Sequence, residues 1–510
     1  MEFLQTKSQV EASSQALIAI KQWTDDVEYS QRIPKQTTGL HLAAYFGVND
    51  AVQFLISSND PDLKDSYDRT PLSWAAANGQ EGTVRILLAT KRVDANSKDN
   101  QGRTSLCWAA ANGREGTVQI LLATKRVNAN SKDNGGRTSL WWAAANGCEG
   151  VVQILLATRG VEANLKDNHG RTPLPLAVLR GYEGIVQILL LIEGVDANLK
   201  YNHGRTPLSW AAANGHEEIV QLLLAIEGVD ANSKDNYGQT PLLYAAQHKH
   251  EGTVKLLLET KGVDANSKDN FGRTPLSWAA TNGQEEIVQL FLAIERVDAN
   301  SKDNYGQTPL SCAAENGREG TVKLLLEHEA DVEAKDNVGR TPLLYAVKNG
   351  NATIVKLLLA TNRVDVGSKD YYNSTPLSVA ARLGHKDIVA FLLTKSPAPN
   401  VRDNFGRSPL WWAKRTRYPE IADLLLQKCK EDSIIIQEDD LISTKILVPN
   451  SKSSKWCDVC VLGISKEDNC YHCEVCNNGN FRICEECFAI KARCLDQCHI
   501  FVKEVNRGSA

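Results

Sequence analysis

Nine of the chain's 13 cysteines lie between positions 457 and 498, in a pattern that alternates close pairs with single residues. Cys457 and Cys460, Cys473 and Cys476, and Cys484 and Cys487 each form C-x-x-C, Cys470 stands alone, and the run ends as C-x-x-x-C-H at Cys494, Cys498 and His499. Thiolates and imidazoles at such spacings are the ligands of tetrahedral zinc. Each ion takes four of them, so nine cysteines are too many for one site and fit two Zn2+ ions. All positions are then filled by side chains, and no open coordination site remains to activate water. The same pairs could form disulfides only in an oxidising compartment. The opening residues, "MEFLQTKSQVEASSQ", have no basic stretch followed by an apolar run, and no segment reaches the length needed to cross a bilayer. An intracellular, cytoplasmic location is therefore expected, which favours metal.

The remaining sequence must position this cluster and supply whatever else the protein recognises. At 510 residues it is too long for one ordinary domain. Its net charge of −4 gives no electrostatic footprint for nucleic acid or anionic membrane, so neither is an expected partner. The main organising feature is a repeat. A Thr or Ser followed by an apolar, alanine-containing run recurs at 38, 70, 104, 138, 172, 206, 240, 274, 308, 341, 375 and 408, a period of 32 to 34 residues and twelve units. Each unit reads as a turn ("KDNYGQ"), a capped start ("TPL"), a short helix, a Gly, and a second helix ("EEIVQLLLA").

Thr206 is suited to cap a helix, and Pro207 has its φ set for the first helical position. Ala211 and Ala212 keep the inner helix thin. Gly215 ends it where a left-handed residue is needed. Ile219, Val220, Leu222, Leu223 and Leu224 give the outer helix an apolar stripe that only a stacked neighbour can bury, which predicts a solenoid.

These units resemble the ankyrin repeat, whose T-P-L-H-x-A core and D-x-x-G-x-T hairpin are matched by "DNYGQTPLLYAA" (235–246) and its relatives. The resemblance implies a mainly α fold, an ankyrin-repeat solenoid of about twelve helix-turn-helix repeats with β-hairpin loops, over residues 35–428. The family His is usually Ser here, as at Ser73, Ser209 and Ser277. Asp68 and Asn373 replace the hairpin Gly and tolerate positive φ. In the last unit Lys414 and Arg417 replace an Ala and the Gly, as expected of a terminal cap. Leu17, Ile20, Trp23 and Val27 predict a capping helix within residues 1–34.

Ankyrin arrays bind proteins through hairpin tips and the concave face, so the resemblance implies protein partners. At the tips stand Tyr67, His169, His203, Tyr237, Phe271, Tyr305, Tyr372 and Phe405, side chains typical of interface anchors. The alternative is that each ring packs on the next hairpin. Trp74, Trp108, Trp142, Trp210, Trp278 and Trp412 are expected in the core. "TPLSWAA" and the stretch 29–55 also look like the ankyrin portion of fungal NACHT–ankyrin proteins. The phosphate-binding G-x-x-x-x-G-K-[ST] is absent from the chain.

Residues 429–455 form a linker. Within it, Ile434 to Ile436 followed by Glu438, Asp439 and Asp440 resemble a SUMO-interacting motif, the alternative being a segment packed on the array or on the cysteine-rich region. The cysteine cluster resembles a ZZ-type zinc finger over residues 456–505, a cross-brace of two Zn2+ sites. That resemblance implies Cys457, Cys460, Cys484 and Cys487 on one ion, and Cys473, Cys476, Cys494 and His499 on the other, with Cys498 as substitute. Asn480 and Arg482 stand where some ZZ fingers carry acids that hold a peptide N-terminus. The reading as a whole is a non-enzymatic scaffold or sensor. The alternative is a ubiquitin ligase with a RING-like module, which would use Cys470 and His472 but leave Cys494 and His499 without a role.

Overall fold

A computed structural model describes residues 36–395, 397–437 and 440, and five short strands between 455 and 504. Within these, 24 helices form twelve pairs. The chain divides into two units, residues 1–236 and 237–510, each containing six pairs. In both units inner helices pack on the next inner helix and outer helices on the next outer helix.

The local signals act as expected. Thr70 is extended, and its side chain accepts the Ser73 N–H before the helix Pro71–Asn78 begins. Gly79 then ends that helix at φ 77°. The same cap and stop recur at Thr206 and Gly215, where Ile219, Val220 and Leu223 of the outer helix are fully buried. Asp68 and Asn373 adopt φ of 59° and 65°, and Arg417 reaches 58°, so all three non-glycine substitutes accept the left-handed conformation.

One expectation needs correction. The connecting loops are not β-hairpins, and among the described residues of the array the only bridge is Tyr201 with Arg205. The regular loops are closed by a pair such as Asp99 N–H to the Arg103 carbonyl (3.0 Å) and Gly102 N–H to the Asp99 carbonyl (2.8 Å). About five residues per loop are too few for a ladder, and other backbone N–H groups bond to the loop's own Asp or to the neighbouring loop instead.

The unit at 172–205 is irregular for a covalent reason. Thr172 is extended like the other caps but makes no side-chain cap bond, because Pro175 occupies the third helical position and has no N–H. In the second unit the buried core runs from Ala280 to Leu425 through stacked pairs. The last helix, Pro419–Glu431, extends three residues past the boundary expected at 428.

At the C-terminus, strands Cys470–Cys473, Phe481–Cys484 and Phe501–Glu504 form an antiparallel sheet with Cys470–Cys473 in the centre. Lys455–Trp456 pairs with Gly463–Ile464. Among the described residues, no helix is long and apolar enough to cross a membrane.

Candidate functional site

Every regular repeat builds its loop around one buried carboxylate. Asp65 accepts the Tyr67 N–H (2.8 Å) and the Arg69 N–H (2.9 Å) on Oδ1. Its Oδ2 accepts Arg69 Nε at 2.9 Å and the Trp74 indole N–H at 3.0 Å. The Arg69 guanidinium lies 4.5 Å from the Trp74 ring centroid, so a single Asp ties the loop to the following inner helix through a cation over an aromatic face. The same assembly recurs with Asp99, Arg103 and Trp108, with Asp133, Arg137 and Trp142, and with Asp269, Arg273 and Trp278. Trp74 and Trp412 are buried, as expected for the core, whereas Trp108, Trp142, Trp210 and Trp278 are half-buried beneath their arginines.

Exceptions keep the logic. Where Gln307 replaces the Arg, Cys312 replaces the Trp, and Gln307 Nε2 turns to Glu315 at 2.8 Å. Burial pushes the Cys312 thiol up to about 12, so it stays protonated at neutral pH. Asp336 accepts the Tyr345 hydroxyl at 2.6 Å, and burial with that carboxylate alongside holds the phenol well above its ordinary range. In the irregular unit Tyr201 replaces the Asp and stacks on Trp210 with 5.9 Å between ring centres. Arg205 turns to Asp235 of the following loop instead, at 3.6 Å. The pairing of Arg with a Trp five residues later is visible in the sequence, but its dependence on the Asp nine residues before the Trp is not.

Neighbouring loops are joined through their tips. In the first unit, the tip carbonyls of Tyr67, Gln101, Gly135 and His203 each accept the N–H of the Asn in the next loop, at 2.8–2.9 Å. In the second unit the carbonyls of Tyr237, Phe271, Tyr305 and Tyr372 do the same at 2.9–3.0 Å. The tip backbone is therefore held from both sides, and the side chain is what varies.

Most of the expected anchors stand outward. Tyr67, His169, His203, Tyr237 and Phe271 are exposed, with Tyr237 at 49% and Phe271 at 47%, while Tyr305 and Phe405 are half-buried. Tyr372 differs: it is 6% exposed, and Tyr371 at 51% occupies the outer position. This loop places a second tyrosine where others have Asn, and the chain presents Tyr371 in its stead. Several rings are braced by their own arginine, Phe271 by Arg273 at 4.7 Å and Phe405 by Arg407 at 4.6 Å.

The first repeat alone retains a His in the core motif. His41 accepts the Thr38 N–H on Nδ1 at 3.2 Å, and its Nε2 donates to the Arg69 carbonyl of the next loop at 3.0 Å. Ser209 and Ser277 keep only the local contact, to Thr206 and Thr274. The hydrogen bond to the next loop is thus absent at these serines, as the shorter side chain requires.

Of the cysteine-rich region, the strands place the backbones of Cys473 and Cys484, while Cys457, Cys460, Cys476, Cys487, Cys494 and His499 lie outside the described residues. The capping helix expected within 1–34 also lies outside them.

A family model for ankyrin repeats (three copies) matches residues 40–133, 117–200, 184–269, 251–336, 276–370 and 343–438. A search of curated proteins finds no match.

Proposed function

Since this chain belongs to the ankyrin-repeat family, we propose that it is a non-enzymatic protein-binding scaffold whose contacts are made chiefly by the loop tips, with a C-terminal ZZ-type module holding two Zn2+ ions. The observation that carries the first part is the combination, at Tyr67, His203, Tyr237 and Phe271, of a tip backbone clamped to the next loop with an outward aromatic or imidazole side chain. A pre-ordered backbone reduces the entropy lost on binding, and exposed aromatic rings supply anchor area. Likeness to the ankyrin portion of fungal NACHT–ankyrin proteins fits a sensor that shares this surface.

The zinc reading rests on the donor set and on register. Cys470 is the cross-strand partner of Cys484, and Cys473 pairs with Phe481. Cys473 and Cys484 thus occupy positions of opposite parity in a pleated sheet, which suits assignment to different ions of a cross-brace. Cys457, Cys460, Cys484 and Cys487 would hold one ion, and Cys473, Cys476, Cys494 and His499 the other. Bound zinc would supply folding free energy rather than chemistry.

Two measurements test this. Metal analysis of the purified chain is expected to give two zinc ions per molecule, and fewer than one would remove the zinc reading. Captured partners are expected to be lost when Tyr237 and Phe271 are both changed to Ala, with the melting profile unchanged. Retention of every partner by that variant would refute the tip surface.

A further inference from the structure

The helix Pro419–Glu431 ends in a turn that sends the chain back across the end of the array. Ser433 takes φ 54°, its N–H donates to the Lys430 carbonyl at 3.3 Å, and the Ile434 N–H donates to the Cys429 carbonyl at 2.8 Å. This is a Schellman ending, which redirects the backbone at a left-handed residue. The segment that follows alternates: Ile435 is 88% exposed, while Ile434 and Ile436 are half-buried and Ile436 packs on the core. It forms one wall of a crevice whose other wall is made by Pro399, Asn400, Arg402, Ser408, Leu410 and Cys429.

The segment ends on a carboxylate. Asp440 is buried, its Oδ1 accepting the Ser408 hydroxyl at 2.6 Å and its Oδ2 meeting Arg402 Nη2 at 2.5 Å. Ser408 also accepts the Trp411 N–H at 3.1 Å, so one hydroxyl caps the last inner helix and donates to Asp440. Arg402 is the informative residue. Earlier loops carry Lys at this position, and several of these reach a backbone carbonyl of the following loop, as Lys268 does to Lys302 at 2.8 Å and Lys302 to Lys335 at 2.7 Å. The last loop has Arg, whose planar fork donates Nη1 to the Gly406 carbonyl of its own loop and presents Nη2 to the carboxylate.

We infer that the end face of the array is a peptide-binding site that reads an extended segment with two alternate apolar residues and a carboxylate four positions further on, and that Ile434, Ile436 and Asp440 occupy it in cis. The apolar positions are those of Ile434 and Ile436, the carboxylate that of Asp440, and Arg402 with Ser408 is the reader. A partner peptide of this pattern competes with the chain's own segment. When it wins, the tether toward the cysteine-rich region lengthens at its array end.

The test uses the full chain, its Asp440→Asn variant, the double variant Asp440→Asn with Arg402→Ala, and a labelled peptide of sequence DSIIIQEDDLI. In Asp440→Asn, amide exchange at 434–440 is expected to rise at least tenfold while the helix Pro376–Leu383 keeps its protection. The peptide is expected to bind Asp440→Asn at least tenfold more tightly than the unaltered chain, and to lose that gain in the double variant. Unchanged exchange at 434–440 would overturn the cis contact. Faster exchange with no peptide binding would overturn the site, leaving a structural cap alone.

Discussion

The units at 138–171 and 172–205 are adjacent and built on one plan, yet they hold their loops differently. In the first, Thr138 caps its helix through the Trp141 N–H, and Asp133 of the loop leading into it gathers two backbone N–H groups, Arg137 and Trp142. In the second, Asp167 of the leading loop still gathers the His169 and Arg171 N–H groups and the Arg171 side chain, but Pro175 removes the cap donor, Leu176 stands in the Trp position, and Tyr201 takes the place of the Asp in the loop that follows. Trp210 Nε1 is left with no acceptor among the described residues. The fold is the same in both, because stacking of Leu, Val and Ala between pairs supplies most of the burial. The polar assembly adds local tightness to a loop and does not decide whether the repeat forms.

The largest effect should come from the regular unit. Asp133→Ala leaves Arg137, Trp142 and two backbone donors without their acceptor and is expected to destabilise by about 3 kcal/mol, read from urea unfolding. Tyr201→Phe, at the equivalent position two loops further on, removes only a 3.4 Å hydroxyl contact to the Pro175 carbonyl and should cost about 0.5 kcal/mol. Equal losses would break the distinction between the two units. A smaller change should sharpen it: Pro175→Ala restores an N–H for Thr172 to accept and is expected to stabilise by about 1 kcal/mol, visible as a raised unfolding midpoint.

The smallest effect concerns pH and is confined to the first repeat. Burial lowers the pKa of His41 from its ordinary 6.5, against the opposing pull of its bond to the Arg69 carbonyl and of Asp65, with Arg69 itself adding to the lowering. The unfolded chain therefore takes up a proton more readily than the folded one. His41's contribution is complete above its ordinary pKa and is lost as pH falls through the lowered folded value. Amide exchange over Gly39–Phe46, corrected for intrinsic rate, should speed up between pH 7.5 and 5.5. The matching helix Pro275–Asn282, which carries Ser277, should not change. A uniform response in both would remove His41 as the cause.

Much of this architecture could be read along the chain because its determinants are short-range. Thr206 and Gly215 mark a helix by their own backbone preferences, and Asp68 and Asn373 are readable as substitutes for Gly in the same terms, whereas Arg417 reads only as a polar residue of a terminal cap and its positive φ does not follow from its type. What escaped required relations between separated residues. The Asp–Arg–Trp assembly spans nine positions and a change of direction, so each residue alone looks like a turn former, a surface charge or a core ring. Tyr372 and Tyr371 differ only in which one a shared loop turns inward. The segment at 434–440 was open between two readings because its apolar run suits either, and only the Asp440 contacts to Arg402 and Ser408 place it on the array. The ligand assignments in the cysteine-rich region remain what the resemblance to a ZZ-type finger implies, since six of the eight residues lie outside the described ones.

The clamped loop tips carry a consequence for how such a chain can change. Nine of the tips lend their backbone carbonyl to the next loop, a bond that any residue can make, so replacing the side chain leaves the joint intact. Tyr, Gln, Gly, His, Phe and Val all occupy this one position in the chain. Mechanical continuity and chemical content are thereby separated within a single residue, and specificity can drift at one tip without renegotiating the packing of its neighbours.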